Sequence, residues 1–393
     1  MTLDALEFAR ALIKCPSVTP QDNGAQRLLV KTLENIGFKC DQVCFSEPGS
    51  EEVNNVYARF GDQSPNFCFA GHTDVVPVGE THSWTDDPFG AVIRDDILYG
   101  RGAADMKAAI ACFASAASRF IASKNGDFSG SISFLITGDE EGPAINGTKK
   151  LLEWVTSRGE VLDACVVGEP TNPNKMGEMI KIGRRGSLNG NLVVHGIQGH
   201  TAYPHLAENP IHLAAEMIRA VTSKKIDSGS EYFQESTIQF STIDVGNQAS
   251  NVIPGSVNIR FNVRFNDLHR SSDIERWLRD KFDDVSKSSN CHYDLKIKVS
   301  GESFITSPGR LSDLLVNAVS EITGLTPEIS TSGGTSDARF IKDYCEVAEF
   351  GMVGKTMHKT DESINIVDLE VLKNVYLHLL EAYFSDNPKV ISD

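Results

Sequence analysis

Short apolar runs alternating with helically spaced stretches constrain this chain more than any other feature. Residues 67–70, Ser131–Thr137, Ala164–Val167 and 346–350 are short, largely apolar runs bounded by glycine or acidic residues, as buried strands of a covered sheet should be. Residues 106–122, 147–155 and 311–322 carry apolar side chains at helical spacing, and 1–16 reads as an amphipathic helix with Asp4, Glu7 and Arg10 among its apolar positions. Such alternation predicts an α/β layer fold with a mostly parallel sheet. In open α/β sheets ligands collect outside the carboxyl ends of the strands. There the apolar runs break off at, or lead within a few residues to, His72, Asp105, Glu141, Glu169 and His358.

Between residues 186 and 300 the pattern changes. Residues 188–194, 236–243 and Ser256–Phe265 alternate apolar and polar side chains as antiparallel strands do, with two helical stretches interleaved,. This predicts an α+β unit inserted into the first domain, dividing the chain into 1–185, 186–300 and 301–393, the last segment resuming the first domain.

Composition limits the partners. The chain has 393 residues, 40% hydrophobic and 23% charged, with 37 basic against 53 acidic residues and a formal net charge of -16. A chain of that size and polarity buries one large core or two ordinary ones. Its charge repels a phosphate backbone and an anionic membrane surface, so neither nucleic acid nor membrane is expected as a partner. No apolar segment is long enough to cross a bilayer, and 1–16 lacks the basic start and apolar centre of a signal peptide. The eight cysteines, Cys15, Cys40, Cys44, Cys68, Cys112, Cys165, Cys291 and Cys345, form no C-x-x-C pair. Neither a disulfide framework nor a cysteine zinc site is therefore expected, and a reducing cytoplasm is the simplest location.

Two imidazoles and three carboxylates delivered to one sheet edge suit a pair of zinc ions if one carboxylate bridges them. In Gly71-His-Thr-Asp-Val-Val-Pro a histidine leaves a strand, and Asp74 is placed to hold its second ring nitrogen. By itself an H-x-D tripeptide is a weak signal and reads more readily as a surface pair. Asp105 opens a helical stretch after a glycine-rich approach; alone it is an ordinary cap, and beside the other ligands it reads as the bridging carboxylate. The glycine spacing matches neither a dinucleotide nor a Walker fingerprint. In Asp139-Glu-Glu, adjacent side chains leaving a strand point in different directions, so Glu141 can take a metal while Glu140 stays free as general base.

These residues carry a resemblance. Through the blocks just quoted, with Gly100-Arg-Gly-Ala-Ala-Asp-Met-Lys, Gly168-Glu-Pro, Arg184-Arg-Gly-Ser, Gly199-His-Thr-Ala-Tyr-Pro-His, Asn251-Val-Ile-Pro-Gly and Ser332-Gly-Gly-Thr-Ser-Asp-Ala-Arg-Phe, the chain resembles the bacterial succinyl-diaminopimelate desuccinylases. These lie within the co-catalytic zinc aminoacylase and carboxypeptidase family. The likeness runs nearly end to end. It implies one zinc on His72, Asp105 and Glu169, another on Asp105, Glu141 and His358, and Glu140 as base, with Co2+ able to substitute. It further implies that the inserted unit is a ferredoxin-like dimerisation and lid domain of a homodimer. His200 would then reach the partner's site to stabilise an oxyanion, and Arg184, Ser187, Tyr203, Asn251, Arg264, Gly334 and Thr335 would contact the substrate, N-succinyl-LL-diaminopimelate.

One position departs from the family. Gly354 stands where related desuccinylases usually have an asparagine, four residues before the last metal histidine, so one side-chain hydrogen bond to substrate is lost or replaced. Two other readings stay open. Acetylornithine deacetylase shares the metal motifs but takes a monocarboxylic acyl group, whereas Arg184-Arg-Gly-Ser favours a succinyl one. A non-catalytic zinc-stabilised binding module would need neither Glu140 nor an open coordination position.

Overall fold

The computed structural model describes residues 2–287, 289 and 292–385; Met1 and Cys291 lie outside them, as do residues 386–393 of the expected last segment. The chain divides into two compact units, Met1–Ile182 with Thr306–Ser330 and Ser336–Asp393, and Gly183–Ile305 with Thr331–Thr335.

The first unit is built on an eight-stranded sheet. Its order is Lys39–Phe45, Val53–Phe60, Ser131–Thr137, Asn66–His72, Ala164–Val167, Glu346–Glu349, Met179–Lys181 and Glu328–Ser330. The four strands from Ser131–Thr137 to Glu346–Glu349 run parallel, while Lys39–Phe45 and Val53–Phe60 join one side antiparallel. Every residue of Asn66–His72, Ser131–Thr137 and Ala164–Val167 is buried. Such strands lose the polar alternation of a half-solvated sheet, which is why they read as continuous apolar runs.

Helices complete the core. Ala108–Ser123 is rich in alanine and nearly all buried; small side chains let it lie close to the sheet and to the terminal helix Ile366–Ser385. Phe69 stacks on Phe113 at 4.5 Å between ring centroids, and Phe134 and Tyr376 meet Phe113 edge-on at 5.2 and 5.5 Å. Aromatic pairs favour these offset and edge-to-face arrangements. The first helix is shorter than the apolar spacing suggests, running Ala5–Ile13, because Asp4 accepts the Glu7 amide at 3.0 Å and caps it there,. Cys68 and Cys165 are buried and reduced, paired in register on neighbouring strands.

The second unit runs strand, helix, strand, strand, helix, strand. Its antiparallel sheet is ordered Thr237–Asp244, Ser256–Phe265, Gly186–His195, His292–Gly301, with helices Pro210–Thr222 and Ser271–Ser286. This is the ferredoxin-like order. Leu188, Leu192 and Val194 enter its core while Asn189 and Asn191 face out, the alternation expected of a sheet covered on one face. Its bounds lie a few residues outside 186 and 300, because Gly183–Arg184 pairs with Phe304–Ile305. Residues 331–335 also belong to this unit rather than to the returning first domain. Thr331 Oγ1 donates to the Tyr232 carbonyl at 2.5 Å, and Arg184 Nη1 to that of Gly334 at 3.0 Å.

Candidate metal centre

Each parallel strand of the first unit delivers a polar group as it ends. His72 is the last residue of its strand, Asp139, Glu140 and Glu141 follow Thr137, and Glu169 follows Val167. His358 arrives on a loop after Glu346–Glu349, with φ 62. That left-handed conformation is sparsely occupied by residues other than glycine and persists where surrounding structure enforces it. At Gly71, just before His72, a Cβ would lie 2.2 Å from Met106 Cε, so any larger residue would require the Met106 side chain to shift.

Asp105 stands at the centre. Its Oδ1 is 3.2 Å from His72 Nε2 and its Oδ2 is 3.1 Å from His358 Nε2. Glu169 Oε1 is 3.6 Å from His72 Nε2, and Glu141 Oε1 is 2.9 Å from His358 Nε2. His72, Asp105 and Glu169 thus form one group of donor atoms within 4.8 Å of one another, and Asp105, Glu141 and His358 form a second. Hard and borderline cations take this mixture of imidazole nitrogen and carboxylate oxygen. His72, Glu140 and Glu141 also satisfy the same distance, so Glu140 stands close enough to act on whatever the cluster binds.

Charge follows from this crowding. Burial opposes protonation of His72, yet its contacts with Asp105 and Glu169 hold its pKa well above the ordinary value. Asp105 and Glu141 push His358 up to about 10. Against the effect of burial, His358 and His72 hold the Asp105 carboxyl far below the carboxylate range. Burial, then the charges of Glu169, Asp337 and Glu141, raise the Glu140 carboxyl well above its ordinary range. Without cations, protons are what balance these carboxylates.

The structure corrects two expectations. Asp74 meets His72 Nδ1 through its backbone carbonyl, at 2.9 Å, while its carboxylate is 3.6 Å away. That carboxylate is turned toward the chain after the neighbouring strand, accepting the amides of Glu140 and Glu141 at 3.3 and 3.0 Å. Asp74 thus fixes the glutamate pair while its carboxylate stays in ion-pair reach of His72. Asp105 does not open the long helix: it has φ -128 and ψ 94, and the helix begins at Ala108. Freed from helical geometry, its carboxylate lies between two imidazoles.

Residues beyond the expected set complete this unit's site. Glu362, 0% exposed, pairs with Arg101 at 2.7 Å and accepts amides from the segment leading into Asp105. Gly102 adopts φ 89 there, and a Cβ would meet Lys107 Cδ and Val75 Cγ1, both at 2.9 Å. The one sequence signal was an arginine between two glycines. Buried Lys107 donates to the Cys15 carbonyl at 2.7 Å, and burial lowers its pKa to about 8. Gly354 opens the turn before His358, where a Cβ would stand 3.3 Å from Met357 Sδ and 3.4 Å from Pro170 Cβ.

The remaining expected residues lie in the second unit. His200 is exposed on the short strand Gly199–His200, and its Nδ1 accepts the Ala202 amide at 3.0 Å. An accepting Nδ1 leaves the proton of a neutral ring on Nε2. Tyr203, 56% exposed, and Asn251 are on the surface. Ser187 is buried and its Oγ accepts from Asn262 Nδ2 at 3.1 Å. Arg184 is buried against Gly334, Thr335 is half-buried, and half-buried Arg264 has its pKa lowered by burial and by the neighbouring Arg185.

Comparison with known proteins shows the family. The family model described as Peptidase family M20/M25/M40 matches residues 68–382. A succinyl-diaminopimelate desuccinylase from Rhodospirillum centenum is 54% identical over 385 residues, 98% of each chain. Among solved structures, a tripeptidase from Staphylococcus aureus has a TM-score of 0.77 at 19% identity, covering 98% of this chain and 100% of its own. A Bacillus subtilis protein described as a dinuclear metal binding peptidase from the M20 family has a TM-score of 0.69 at 15% identity, covering 98% of each chain. With a family model spanning most of its length and a relative identical at more than half of the aligned positions, this chain belongs to peptidase family M20/M25/M40, among its succinyl-diaminopimelate desuccinylases.

Proposed function

We propose that this chain hydrolyses N-succinyl-LL-2,6-diaminopimelate to succinate and LL-2,6-diaminopimelate, in the synthesis of lysine and its precursor. The observation that carries the reading is Asp105, offering one oxygen to each of two imidazoles, in a chain 54% identical to a desuccinylase. His72, Asp105 and Glu169 would hold one divalent cation, and Asp105, Glu141 and His358 another. Zinc is the first choice, with cobalt as a substitute. Two such ions would polarise the amide carbonyl and make an attacking water acidic enough to ionise near neutral pH.

The chain's own residues do the rest. Glu140 takes the proton of the attacking water and passes it to the leaving amine nitrogen. It suits that role because no described residue donates a hydrogen bond to its carboxylate, while Asp74 pins its amide at 3.3 Å. Asp74 also holds the Glu141 amide, so base and ligand keep a fixed offset. Arg184 and Arg264 pair with the substrate's carboxylates, as guanidinium forks do. Ser187, Tyr203, Asn251, Gly334 and Thr335 make further contacts to the substrate. The second unit acts as lid and dimerisation element of a cytoplasmic homodimer, with His200 donating Nε2–H to the oxyanion across the subunit boundary.

The test is a Zn2+-loaded assay on N-succinyl-LL-diaminopimelate and N-acetylornithine, with bound metal counted in parallel. Two ions per chain and faster turnover of the succinyl amide are expected. Preference for the acetyl amide would reassign the substrate, and hydrolysis of neither would remove the enzymatic reading.

A further inference from the structure

Three backbone amides converge on one carboxylate oxygen that belongs to neither metal group. Glu362 Oε1 accepts from the amides of Gly102, Ala104 and Asp105 at 3.1, 2.9 and 3.1 Å, and Arg101 Nη1 donates to Oε2 at 2.7 Å. Both partners of this ion pair are buried, Glu362 at 0% and Arg101 at 2% exposure. Arg101 is held further by the carbonyls of Lys359 at 3.1 Å and Pro77 at 3.3 Å, and it lies 5.1 Å over the Trp84 ring. The Gly100 amide donates to the Glu362 carbonyl at 2.8 Å, so the two segments are joined by backbone as well.

A carboxylate taken out of water persists only when its charge and lone pairs are answered. Here every answering donor comes from the segment that carries Asp105. Buried backbone amides need an acceptor, and those of Gly102, Ala104 and Asp105 lie ahead of the long helix, which begins only at Ala108. Glu362 supplies the missing acceptor. It also follows His358 by four residues, so the same contact ties the loop of one imidazole to the carboxylate shared by both.

We propose that Glu362 is a positioning residue for the metal pair, gathering the amides of Gly102, Ala104 and Asp105 so that the Asp105 carboxylate is set between His72 and His358 before any ion binds. The inference rests on the reading of Asp105 as a shared ligand. Partners that orient metal ligands from behind contribute about 10–100-fold in metal affinity.

Two measurements test it. In the metal-free wild-type protein, hydrogen exchange at the amides of residues 102, 104 and 105 should be slow; free exchange that becomes slow only with Zn2+ overturns a preset cradle. In Glu362→Asp, the carboxylate keeps its charge opposite Arg101 but is withdrawn by one methylene. That variant should bind its second equivalent of Zn2+ about 10–100-fold more weakly, and its di-cobalt form should lose the magnetic coupling that a shared carboxylate transmits. Unchanged second-ion affinity and coupling in a folded E362D overturn the proposal. If E362D does not fold, the exchange result decides alone. A wild-type chain that binds no Zn2+ is a separate failure, of the functional reading; protected amides would then make Glu362 purely structural.

Discussion

The two units differ most in exposure between the His72, Asp105 and Glu169 group of the first and the His200 and Tyr203 pair of the second. In the first, His72, Asp105 and Glu169 are 0%, 7% and 8% exposed; His72 ends one strand of a sheet with both faces covered and Glu169 follows another, while Asp105 lies in the segment before the long helix. In the second, Tyr203 is 56% exposed and His200 lies open on a two-residue strand beside it. A buried polar group must be answered by neighbours at the moment of folding, so the first unit organises its donors without help. An exposed histidine meets no such demand, and the fold of its unit does not require His200. The comparison teaches that changes in the buried group should disturb the site's own organisation, whereas a change at His200 should leave the fold alone.

Breaking the first unit's arrangement gives the largest effect. Asp105→Ala removes the one group common to both donor sets; loss of both ions and of measurable turnover is expected, read by metal analysis beside the assay. Retention of two ions would show that Asp105 bridges nothing. Glu140→Ala should lower kcat by about 10²–10⁴-fold, the range for a positioned base, with two ions still bound. Ion loss in that variant would instead make Glu140 a ligand, as its place in a third donor group allows.

The second unit should respond differently. His200→Ala is expected to lower kcat by about 10²–10³-fold, as loss of one oxyanion donor does, with metal content and thermal midpoint unchanged. A fall in either would tie His200 to folding rather than to turnover.

The smallest effect sharpens the comparison through pH. His358 is raised to about 10 in the metal-free protein by Asp105 and Glu141, so across the neutral range it carries a proton that an incoming cation must displace. Affinity for that ion should therefore rise with pH below about 10, by about tenfold per unit for each proton released, as titration calorimetry in buffers of different ionisation enthalpy would read. The contribution of the protonated His358 pair to metal-free stability has the opposite sign. It is fully present below the ordinary histidine pKa and is lost as pH rises through about 10,.

Much of the first unit was legible in the sequence because its signals are local. Ser131–Thr137 and Ala164–Val167 are strands at the bounds their runs suggest, since burial on both faces favours apolar residues on both and admits only small, hydrogen-bonded polar ones such as Ser131 and Ser133. His72, Glu141 and Glu169 were readable for a similar reason: they lie at or within a few residues of strand ends at the sheet's carboxyl edge, whereas Asp105 and His358 arrive on longer connections. In the second unit the alternation of Ser256–Phe265 showed which residues enter its core. Its extent was less visible. Residues 331–335 join it through Thr331 and Gly334, whose partners Tyr232 and Arg184 lie 99 and 150 residues away.

What this sequence determined by itself is the set of elements and the kinds of group leaving them, since period and side-chain chemistry are written residue by residue. The tertiary structure alone decided how those groups divide their partners. Asp74 turns its carboxylate to two amides 66 and 67 residues on and leaves its carbonyl to His72. Glu362 reaches back 257 residues to the amide of Asp105. Hydrogen bonds act over about 3 Å, and at such separations only the completed fold brings donor and acceptor within that reach.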